Sequence, residues 1–484
     1  MNHWTLVSLA EAIRAKKISA TEATQGYLDR IARLDPEIHS FITVDADGAL
    51  GAARALDADA AAGRWRGPLH GVPLAYKDLC HIAGLPSSCG TKTPEYFTSP
   101  RECTAVVRLR DAGAITLGKL NMSELALGPF GDNAHHGDVQ NPWRRGHVSG
   151  GSSSGSGAAV AAGFAAGTLG SDTGGSIRLP AAVCGIVGLK PTYGRVSRAG
   201  AMPLSWSLDH LGPMTRTVRD AALMLAIVAG HDPHDATTSH RRVPDYVAAL
   251  DTPVRGLRVG VPENYYFDGL APDVDAAVRE AIRALEALGA STRPVRVPDP
   301  TVQSGISNVL ARAESAVIHE RVVRERPHEL QPAVRARLEI GFQIPAHDYL
   351  QAGRLRAQLA RQFVAGVFAD VDVLIAATIP EAAPALADAK AGSADDVVAR
   401  MGRFSRLTRP FNGLGLPALS VPCGFSADGR PLAFQIVGRP FAEATVLRLG
   451  HAYQRVTDWH ARRATEDMGG ARRTPQPPDA QGRE

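Results

Sequence analysis

Residues 150–191 read "GGSSSGSGAAVAAGFAAGTLGSDTGGSIRLPAAVCGIVGLKP", and this stretch decides which fold and chemistry can be assigned to the chain. Its first eight residues, taken alone, have the composition of a flexible linker between two domains. They run directly into "AAVAAGFAAG" (158–167), whose small residues predict a helix packed closely against a sheet. Since a linker would separate two independently patterned segments, we interpret Gly150–Gly157 as a tight functional loop.

Strands and helices alternate on both sides of this loop. "GVPLAYKDLC" (71–80) predicts a strand entering a turn, and "AVVRLRDAGAITLGKLN" (105–121) predicts a helix, a glycine stop and a strand. Further strands are predicted at "VDVLIAAT" (371–378) and in the pair "LPALSVPCGF" and "LAFQIVG" (416–438). This alternation predicts an α/β fold with a buried sheet.

The pattern predicts a single domain over residues 1–465. Residues 1–65 predict helices, one of which begins with a capping-box pattern from Ser19 to Glu22. A core follows at 66–230, and a variable helical region that selects the substrate is inserted at about 300–410. The segment 466–484 is rich in proline, glycine and polar residues and predicts a disordered tail.

Composition excludes several classes of function. The 53 basic and 49 acidic residues among 484 are too evenly balanced to argue for a nucleic-acid-binding patch. The five cysteines include no CxxC pair, and His135 and His136 lack a third ligand at a suitable spacing, so we expect no metal. No signal peptide or membrane-spanning run is evident, so a cytoplasmic protein without a cofactor is expected.

One catalytic pattern is met literally inside the loop. Residues 151–155 fit GxSxG, which would make Ser153 the nucleophile of an α/β-hydrolase-type esterase. That motif requires a strand immediately before it, and "NPWRRGHVSG" (141–150) predicts none. Phosphate-loop and dinucleotide patterns fail as well, since no lysine follows the glycines and GxGxxG is not completed. The esterase remains an alternative.

Two other residues combine into a different reaction centre. Ser176 follows Gly174 and Gly175, whose N–H groups could form an oxyanion hole, although an ordinary turn would have the same sequence. Lys77 ends an apolar strand, where a lysine more often extends to the surface. If it is buried, however, desolvation lowers its pKa, and the neutral amine can take a proton from a serine.

These motifs together resemble the amidase signature family. The resemblance rests on "GVPLAYKD", "GGSSSGSGAAVAAG" and "GSDTGGSIRLPAAVCGIVGLKPTYGRVS", supported by "GKLNMSE", "NPW" and "SLDHLGPMTRTV". It extends to about residue 460 and is weakest between 230 and 400. The intervals of 75 residues from Lys77 to Ser152 and 24 from Ser152 to Ser176 also resemble those of the family. The resemblance implies a large mixed β-sheet covered by helices on both faces.

The resemblance also implies a Ser–cisSer–Lys triad. Ser176 matches the nucleophile, Ser152 the bridging serine with a cis peptide bond, and Lys77 the general base. The oxyanion or substrate-binding donors that it implies are Thr173, Gly174 and Gly175, together with Ser176 itself. Ser154 departs from the usual GGSSGGS pattern, and we expect this departure to leave catalysis intact.

The function expected from this resemblance is hydrolysis of the C–N bond of a linear, non-peptide amide through an acyl-enzyme. Esters, carbamates or anilides could undergo the same chemistry. An alternative is the A subunit of a glutamine-dependent tRNA amidotransferase, but the "YLxD" element usual in that protein is not found before "PFNGLGLP" (410–417). We therefore expect a small-molecule amide substrate, no nucleic acid and no membrane, with a homodimer as one option.

Two charged residues near Ser176 have open roles at this point. Arg178 could bind an anionic group of the substrate or form a structural salt bridge, and Asp172 could orient the loop through hydrogen bonds.

Overall fold

The computed structural model describes Met1 and residues 3–464, and its centre is one eleven-stranded mixed sheet. The strand order is β1-β3-β2-β6-β8-β7-β12-β13-β11-β9-β10. The strands of the described part, including β4 and β5 outside this sheet, are β1 Phe41–Val44, β2 Pro73–Lys77, β3 Ile115–Leu120, β4 Gln140–Asn141, β5 Arg144–Val148, β6 Gly167–Ser171, β7 Val187–Lys190, β8 Leu211–Thr215, β9 Arg258–Pro262, β10 Ser291–Val295, β11 Val373–Ala377, β12 Ala418–Phe425 and β13 Pro431–Gly438.

Helices connect most of these strands. The α-helices in the same part of the chain are α1 Leu6–Arg14, α2 Ala20–Leu34, α3 Ala46–Ala61, α4 Thr104–Asp111, α5 Ser154–Ala162, α6 Arg178–Cys184, α7 Val218–Val228, α8 Pro272–Ala287, α9 Pro300–Ile318, α10 Glu320–Glu325, α11 Pro332–Gly341, α12 Ala346–Asp370, α13 Leu386–Lys390, α14 Ala394–Phe404, α15 Arg409–Gly413 and α16 Glu443–Gln454.

Helices cover both faces of the sheet, as the packing along β13 indicates. Leu432 and Phe434 belong to one hydrophobic cluster, to which α8 contributes Val278. Ala433, between them, belongs to a second cluster that contains Leu179 of α6. Because successive side chains of a strand point to opposite faces, the two clusters lie on opposite sides of the sheet. The predicted α/β fold with a mixed sheet and helices on both faces is confirmed.

The N-terminal helices follow the local sequence closely. At α2, Ser19 Oγ accepts from the Glu22 N–H at 3.0 Å, and the Glu22 carboxylate accepts from the Ser19 N–H at 2.8 Å, which confirms the predicted capping box. The short strand β1 lies between α2 and α3 and pairs antiparallel with β3. Four residues are too few for periodicity to reveal such a strand.

The prediction that no strand precedes the serine-rich loop is wrong. β4 and β5 form a separate two-stranded antiparallel ribbon, and β5 ends at Val148, directly before Ser149. The charged residues Arg144 and Arg145 are exposed on this ribbon, which explains why a search for apolar alternation missed it. β5 does not belong to the eleven-stranded sheet, so it is not the central strand that a nucleophile elbow requires.

Several expectations are outside what the fold tests. The boundaries at 65, 230, 300 and 410 remain predictions, and the predicted disordered tail at 466–484 lies outside the described residues. The cytoplasmic location also stays a prediction.

Within Met1 and residues 3–464, none of the helices has both the length and the apolar character needed to cross a membrane. All five cysteines are buried and form no disulfide.

The serine-rich loop continues into a helix without room for larger side chains. All nine residues of α5 are buried. A Cβ atom on Gly155 would overlap the carbonyl oxygen of Ser40 and would lie 2.6 Å from the backbone nitrogen of Asn121. Both neighbours are backbone atoms, so α5 can approach the end of β3 this closely only with glycine at that position.

We predict that Gly155→Ala lowers the free energy of unfolding by about 1–3 kcal/mol, because the added methyl group overpacks a rigid backbone. Gly51 in α3 is the matched control, since a Cβ there meets nothing within 4 Å. Gly51→Ala should raise stability by about 0.5–1 kcal/mol through its higher helix propensity. Urea denaturation followed by circular dichroism measures both, and equal effects of the two substitutions would contradict the steric argument.

Candidate active site

Two neighbouring parallel strands bring the candidate residues to one edge of the sheet. β2 and β6 pair in parallel, with Tyr76 opposite Leu169. Lys77 is the last residue of β2, and Ser171 is the last residue of β6. The carboxyl ends of parallel strands meet at one edge, so both side chains reach the space where the loops begin.

The amino group of Lys77 is fully buried among serine hydroxyls. Its Nζ lies 2.7 Å from Ser152 Oγ, 3.0 Å from Ser153 Oγ and 2.8 Å from Ser171 Oγ. Burial lowers the pKa of Lys77 to about 7, and nearby acidic groups oppose this effect only in part. A substantial fraction of the amine is therefore neutral at physiological pH.

The hydrogen bonds of Ser153 decide where the lone pair of the neutral amine can point. The Ser153 hydroxyl donates to the carbonyl oxygen of Ser171 at 3.1 Å and accepts from the Ser171 N–H at 3.2 Å. Its proton is therefore committed, and towards Lys77 it can only accept. A neutral amine has two N–H donors and one lone pair, so the lone pair is left for Ser152 or Ser171.

Ser152 is held in place through its backbone. The Gly151–Ser152 peptide bond is cis, and the carbonyl oxygen of Ser152 accepts from the Ser123 N–H at 3.1 Å.

Ser154, the residue that departs from the family pattern, is the first residue of α5 and has no positive φ. The backbone conformation therefore does not require glycine at this position.

Ser176 lies where a second loop meets the serine-rich loop. The Ser153 N–H donates to the carbonyl oxygen of Ser176 at 3.3 Å, which joins the two loops. Ser176 is half-buried and lines a cavity of about 180 Å³. The structure thus brings Lys77 and Ser152 into direct contact and places Ser176 beside them, facing open space.

The N–H groups before Ser176 differ in their availability. The Gly175 N–H donates to Asp172 Oδ1 at 2.7 Å, so it is already engaged. Within the described part of the chain, the N–H groups of Thr173, Gly174 and Ser176 have no hydrogen-bond acceptor. Gly175 has φ +132°, and a Cβ there would overlap Thr408 Oγ1, so its contribution is to the shape of the loop. Thr173, Gly174 and Ser176 are the candidate oxyanion donors.

A buried ion pair fixes this loop from below. Arg178 Nε lies 3.0 Å from Asp172 Oδ2, and both side chains are fully buried. The charge and hydrogen bonds of Arg178 hold the pKa of Asp172 below its ordinary value, although burial alone would raise it. Asn412 Nδ2 also donates to Asp172 Oδ1, at 2.7 Å, and Arg178 donates to Gln435 Oε1 at 3.0 Å. Arg178 does not line the cavity, so the geometry supports a structural salt bridge rather than a substrate contact.

The cavity is formed by the loop at 126–129, the loop at Thr173–Ser176 and the helices α9, α11, α14 and α15. Its charged lining residues are Arg312, Arg337 and Arg409. The volume of about 180 Å³ is smaller than the roughly 300–1,000 Å³ of typical ligand pockets. The cavity beside Ser176 thus has room for a small molecule.

The alternative nucleophile and the histidine pair are not supported by their surroundings. The Ser153 hydroxyl bonds to Lys77 and to the backbone of Ser171, and no histidine of the described residues bonds to it. His135 instead contacts the Glu124 carboxylate at 2.8 Å. In the part of the chain that the structure covers, no group of three or more His, Cys, Asp or Glu side chains could hold a metal ion.

Sequence reasoning missed three residues that shape the site. Ser171 contacts Lys77, Asp209 accepts from Thr173 Oγ1 at 2.6 Å, and Asn412 supports Asp172. Ser171 could have been found, because it ends a strand parallel to β2 and therefore lies at the same edge. Asp209 and Asn412 lie within quoted motifs, but only the folded structure shows what they contact.

Curated relatives match this chain over almost its whole length. The A subunit of the glutamyl-tRNA(Gln) amidotransferase of Roseiflexus sp. (strain RS-1) is 43% identical and covers 96% of this chain and 98% of its own. The family model described as Amidase matches residues 22–447.

Solved structures give the same family with differing backbone agreement. One is described as a vestigial protein complex that reveals the evolutionary origins of an s-triazine catabolic enzyme; it is 34% identical, covers 93% of this chain and 98% of its own, and has a TM-score of 0.87. The A subunit of the glutamyl-tRNA(Gln) amidotransferase of Thermotoga maritima is 33% identical, covers 94% of this chain and 95% of its own, and has a TM-score of 0.78.

These relatives contradict the partners expected from the sequence, namely a small-molecule amide substrate without a nucleic acid and, as one option, a homodimer. The Roseiflexus relative is by name one subunit of an enzyme, and that enzyme's name includes a tRNA. Overall charge balance is weak evidence against such a partner, because one subunit of an enzyme need not itself carry the surface that binds a nucleic acid. The match of the family model to residues 22–447, together with identities above 40%, establishes that this chain belongs to the amidase family.

Proposed function

We propose that this chain is the amide-cleaving A-type subunit of a glutamyl-tRNA amidotransferase. The observation that carries the proposal is the identity of 43% to such a protein over 98% of that protein's length. In this role the chain releases ammonia from a donor amide, and partner subunits use the ammonia on the charged tRNA. This was the alternative interpretation of the sequence, and the relatives favour it over a free amidase.

The proposed reaction begins with the neutral amine of Lys77. It takes the proton of Ser152, which in turn takes the proton of Ser176, and Ser176 Oγ attacks the amide carbonyl carbon. The new C–O bond leaves negative charge on the carbonyl oxygen, where the N–H groups of Thr173, Gly174 and Ser176 can stabilise it. Support comes from the 2.7 Å contact of Lys77 with Ser152 and from the three N–H groups, which have no acceptor among the described residues.

Collapse of this intermediate breaks the C–N bond. The departing amine takes a proton back from Ser152, and Lys77 returns its own proton to Ser152. The acyl group then remains on Ser176 as an ester. Water repeats the attack with the same proton transfers, releasing the acid and restoring the Ser176 hydroxyl.

The size of the cavity is consistent with the role proposed for this chain. About 180 Å³ beside Ser176 suits a small donor amide. In the proposed assembly the step on tRNA takes place on a partner subunit, and this chain supplies the ammonia.

A second candidate is the hydrolysis of a small free amide. It is supported by the TM-score of 0.83 to a solved structure described as an amidase, against 0.78 to the A subunit from Thermotoga maritima. The missing "YLxD" element points the same way. Both candidates use the same acyl-transfer step.

Reconstitution tests the preferred assembly. We expect this chain, mixed with the partner subunits of the Roseiflexus enzyme, to support amidation of glutamyl-tRNA(Gln), measured by separation of the released amino acids. The relative's own A subunit is the positive control, and Ser176→Ala of this chain is the negative control. Amide cleavage by the free chain, with no tRNA amidation in a mixture where the relative's protein works, would favour the second candidate.

Substitution of the proposed triad should remove most turnover. We expect Lys77→Met, Ser152→Ala and Ser176→Ala each to lower kcat/KM for a small amide by at least about 10²–10⁴-fold, because each interrupts the proton relay or removes the nucleophile. Ser156→Ala is the matched control, a buried α5 serine whose Oγ donates to the Leu169 carbonyl. Circular dichroism checks folding, and mass spectrometry locates the acyl adduct. An adduct on Ser153, with Ser176→Ala still active, would support the esterase alternative.

The activity should depend on pH through Lys77. Protonation below a pKa of about 7 occupies the lone pair that accepts the proton of Ser152, so kcat/KM should fall about tenfold per pH unit on the acid side. Above this pH it should reach a plateau. Steady-state rates between pH 5 and 9, with circular dichroism at each pH, measure this limb. A rate independent of pH from 5.5 to 8 would contradict a neutral lysine as the base.

A further inference from the structure

Three guanidinium groups from three different helices line the cavity beside Ser176. Arg312 comes from α9, Arg337 from α11 and Arg409 from the start of α15. The lining residues of the cavity include no aspartate or glutamate. The space in front of the candidate nucleophile therefore carries a positive charge without a carboxylate in its wall.

Arg409 is the arginine that contacts the candidate oxyanion loop. A Cβ on Gly174 would lie 3.4 Å from Arg409 Cγ, so the stem of this side chain passes beside the loop. Its Nε donates to Ser405 Oγ at 2.8 Å, and its Nη1 donates to Asn308 Oδ1 at 2.6 Å. Both acceptors are neutral, so they orient the guanidinium group without cancelling its charge.

The other two arginines lack strong partners. Arg337 donates to the thioether sulfur of Met401 at 3.8 Å, which is a weak acceptor. For the Arg312 side chain, no hydrogen bond or ion pair is found among the residues that the structure describes. Asp132 lies near enough to Arg337 to affect its charge, but it forms no ion pair with it and does not line the cavity.

The three guanidinium groups lie close enough to repel one another. Burial lowers the pKa of Arg337 to about 9 and that of Arg409 to about 10, and repulsion from Arg312 contributes to both shifts. Arg337 and Arg409 nevertheless remain charged at neutral pH. An anion in the cavity would relieve this repulsion and could accept bidentate hydrogen bonds from a guanidinium group.

We infer that the donor amide carries a carboxylate and no ammonium group. A carboxylate on the acyl chain would meet Arg312, Arg337 or Arg409, whereas an ammonium would face all three with only neutral acceptors to compensate. An amide of a dicarboxylic acid fits this pocket, and its zwitterionic α-amino analogue fits it less well. The inference rests on the acyl-transfer step proposed above, which both candidate functions use. For an amidotransferase subunit it means that glutamine, which carries an α-ammonium group, is not the preferred donor of this chain.

A comparison of three amides of nearly equal size separates the effect of the carboxylate on kcat/KM from that of the ammonium group. Glutaramate differs from glutamine only by the absence of the α-ammonium, and pentanamide differs from glutaramate only by a methyl group in place of the carboxylate. We expect kcat/KM for glutaramate to exceed that for glutamine at least tenfold and that for pentanamide at least hundredfold, measured as ammonia release. Equal or faster turnover of glutamine would overturn the inference.

Substitutions of the cavity arginines test whether these residues select for the carboxylate of the amide. Arg312→Gln and Arg409→Gln should each reduce the ratio of kcat/KM for glutaramate to that for pentanamide at least tenfold, and Arg409→Lys should recover part of it. Arg321→Gln is the matched control, because this α10 arginine is 85% exposed and pairs with Glu325. An unchanged ratio in both cavity variants would refute the assignment. The ratio also separates a loss of selectivity from a general loss of folded protein.

Binding to Ser176→Ala distinguishes failure of the inference from failure of the proposed function. Calorimetry should detect glutaramate binding at least tenfold tighter than glutamine binding. If glutaramate binds in this way but no amide releases ammonia from the unmodified chain, the acyl-transfer function is refuted and the pocket assignment stands. If glutamine binds and reacts as well as glutaramate, the function stands and the inference is refuted. If none of the three amides binds or releases ammonia, both the function and the inference are refuted.

Discussion

A buried lysine amine either pairs with an opposite charge or has a lowered pKa, because burial disfavours its charged form. The Nζ of Lys77 contacts three hydroxyl groups and no carboxylate of the described residues, and it is fully buried. The proposed reaction depends on this arrangement, because burial lowers the pKa of the amine to about 7 and so lets it act as a base near neutral pH. The surrounding structure supplies the enclosure: β2 and β6 place the amine, and the all-buried helix α5 closes the space behind the serine loop.

The buried charges of Asp172 and Arg178 pair with each other and not with the amine of Lys77. Asp172 and Arg178 neutralise each other below the loop, and hydrogen bonds extend from them to Asn412 of α15 and Gln435 of β13. Buried pairs of this kind contribute little net stability compared with apolar packing, but they tolerate few alternative geometries. Here the pair fixes the Gly175 N–H and leaves the neighbouring N–H groups available to the cavity. Rigidity of the loop, rather than stability of the fold, is its main contribution.

Much of this could be predicted from the sequence because the informative residues are local. Lys77 ends a strand and Ser176 follows one, and glycines mark positions where a side chain would clash with the backbone. The α/β fold and the sheet edge at which the candidate site lies could therefore be predicted from short motifs. The arginine cluster could not be found in this way, since Arg312, Arg337 and Arg409 lie on three helices separated by up to about a hundred residues. Their proximity depends on tertiary packing that no periodicity records. The engagement of the Gly175 N–H likewise depends on one side-chain rotamer of Asp172. Charge balance over the whole chain was a poor guide to partners, because an assembly can divide the binding of substrates among its components.

The cavity wall and the sheet edge that carries Lys77 and Ser171 belong to different parts of the molecule. The sheet edge holds the amine and the hydroxyls, whereas a layer of helices (α9, α11, α14 and α15) holds about half of the residues that line the cavity. Because the two parts are separate, selection can alter substrate preference while the bond-breaking groups stay unchanged. A few substitutions in these helices could change which nitrogen compound is bound, while the residues at the sheet edge stay the same. Proteins that supply nitrogen for biosynthesis and enzymes that degrade nitrogen compounds could in this way descend from one ancestral scaffold.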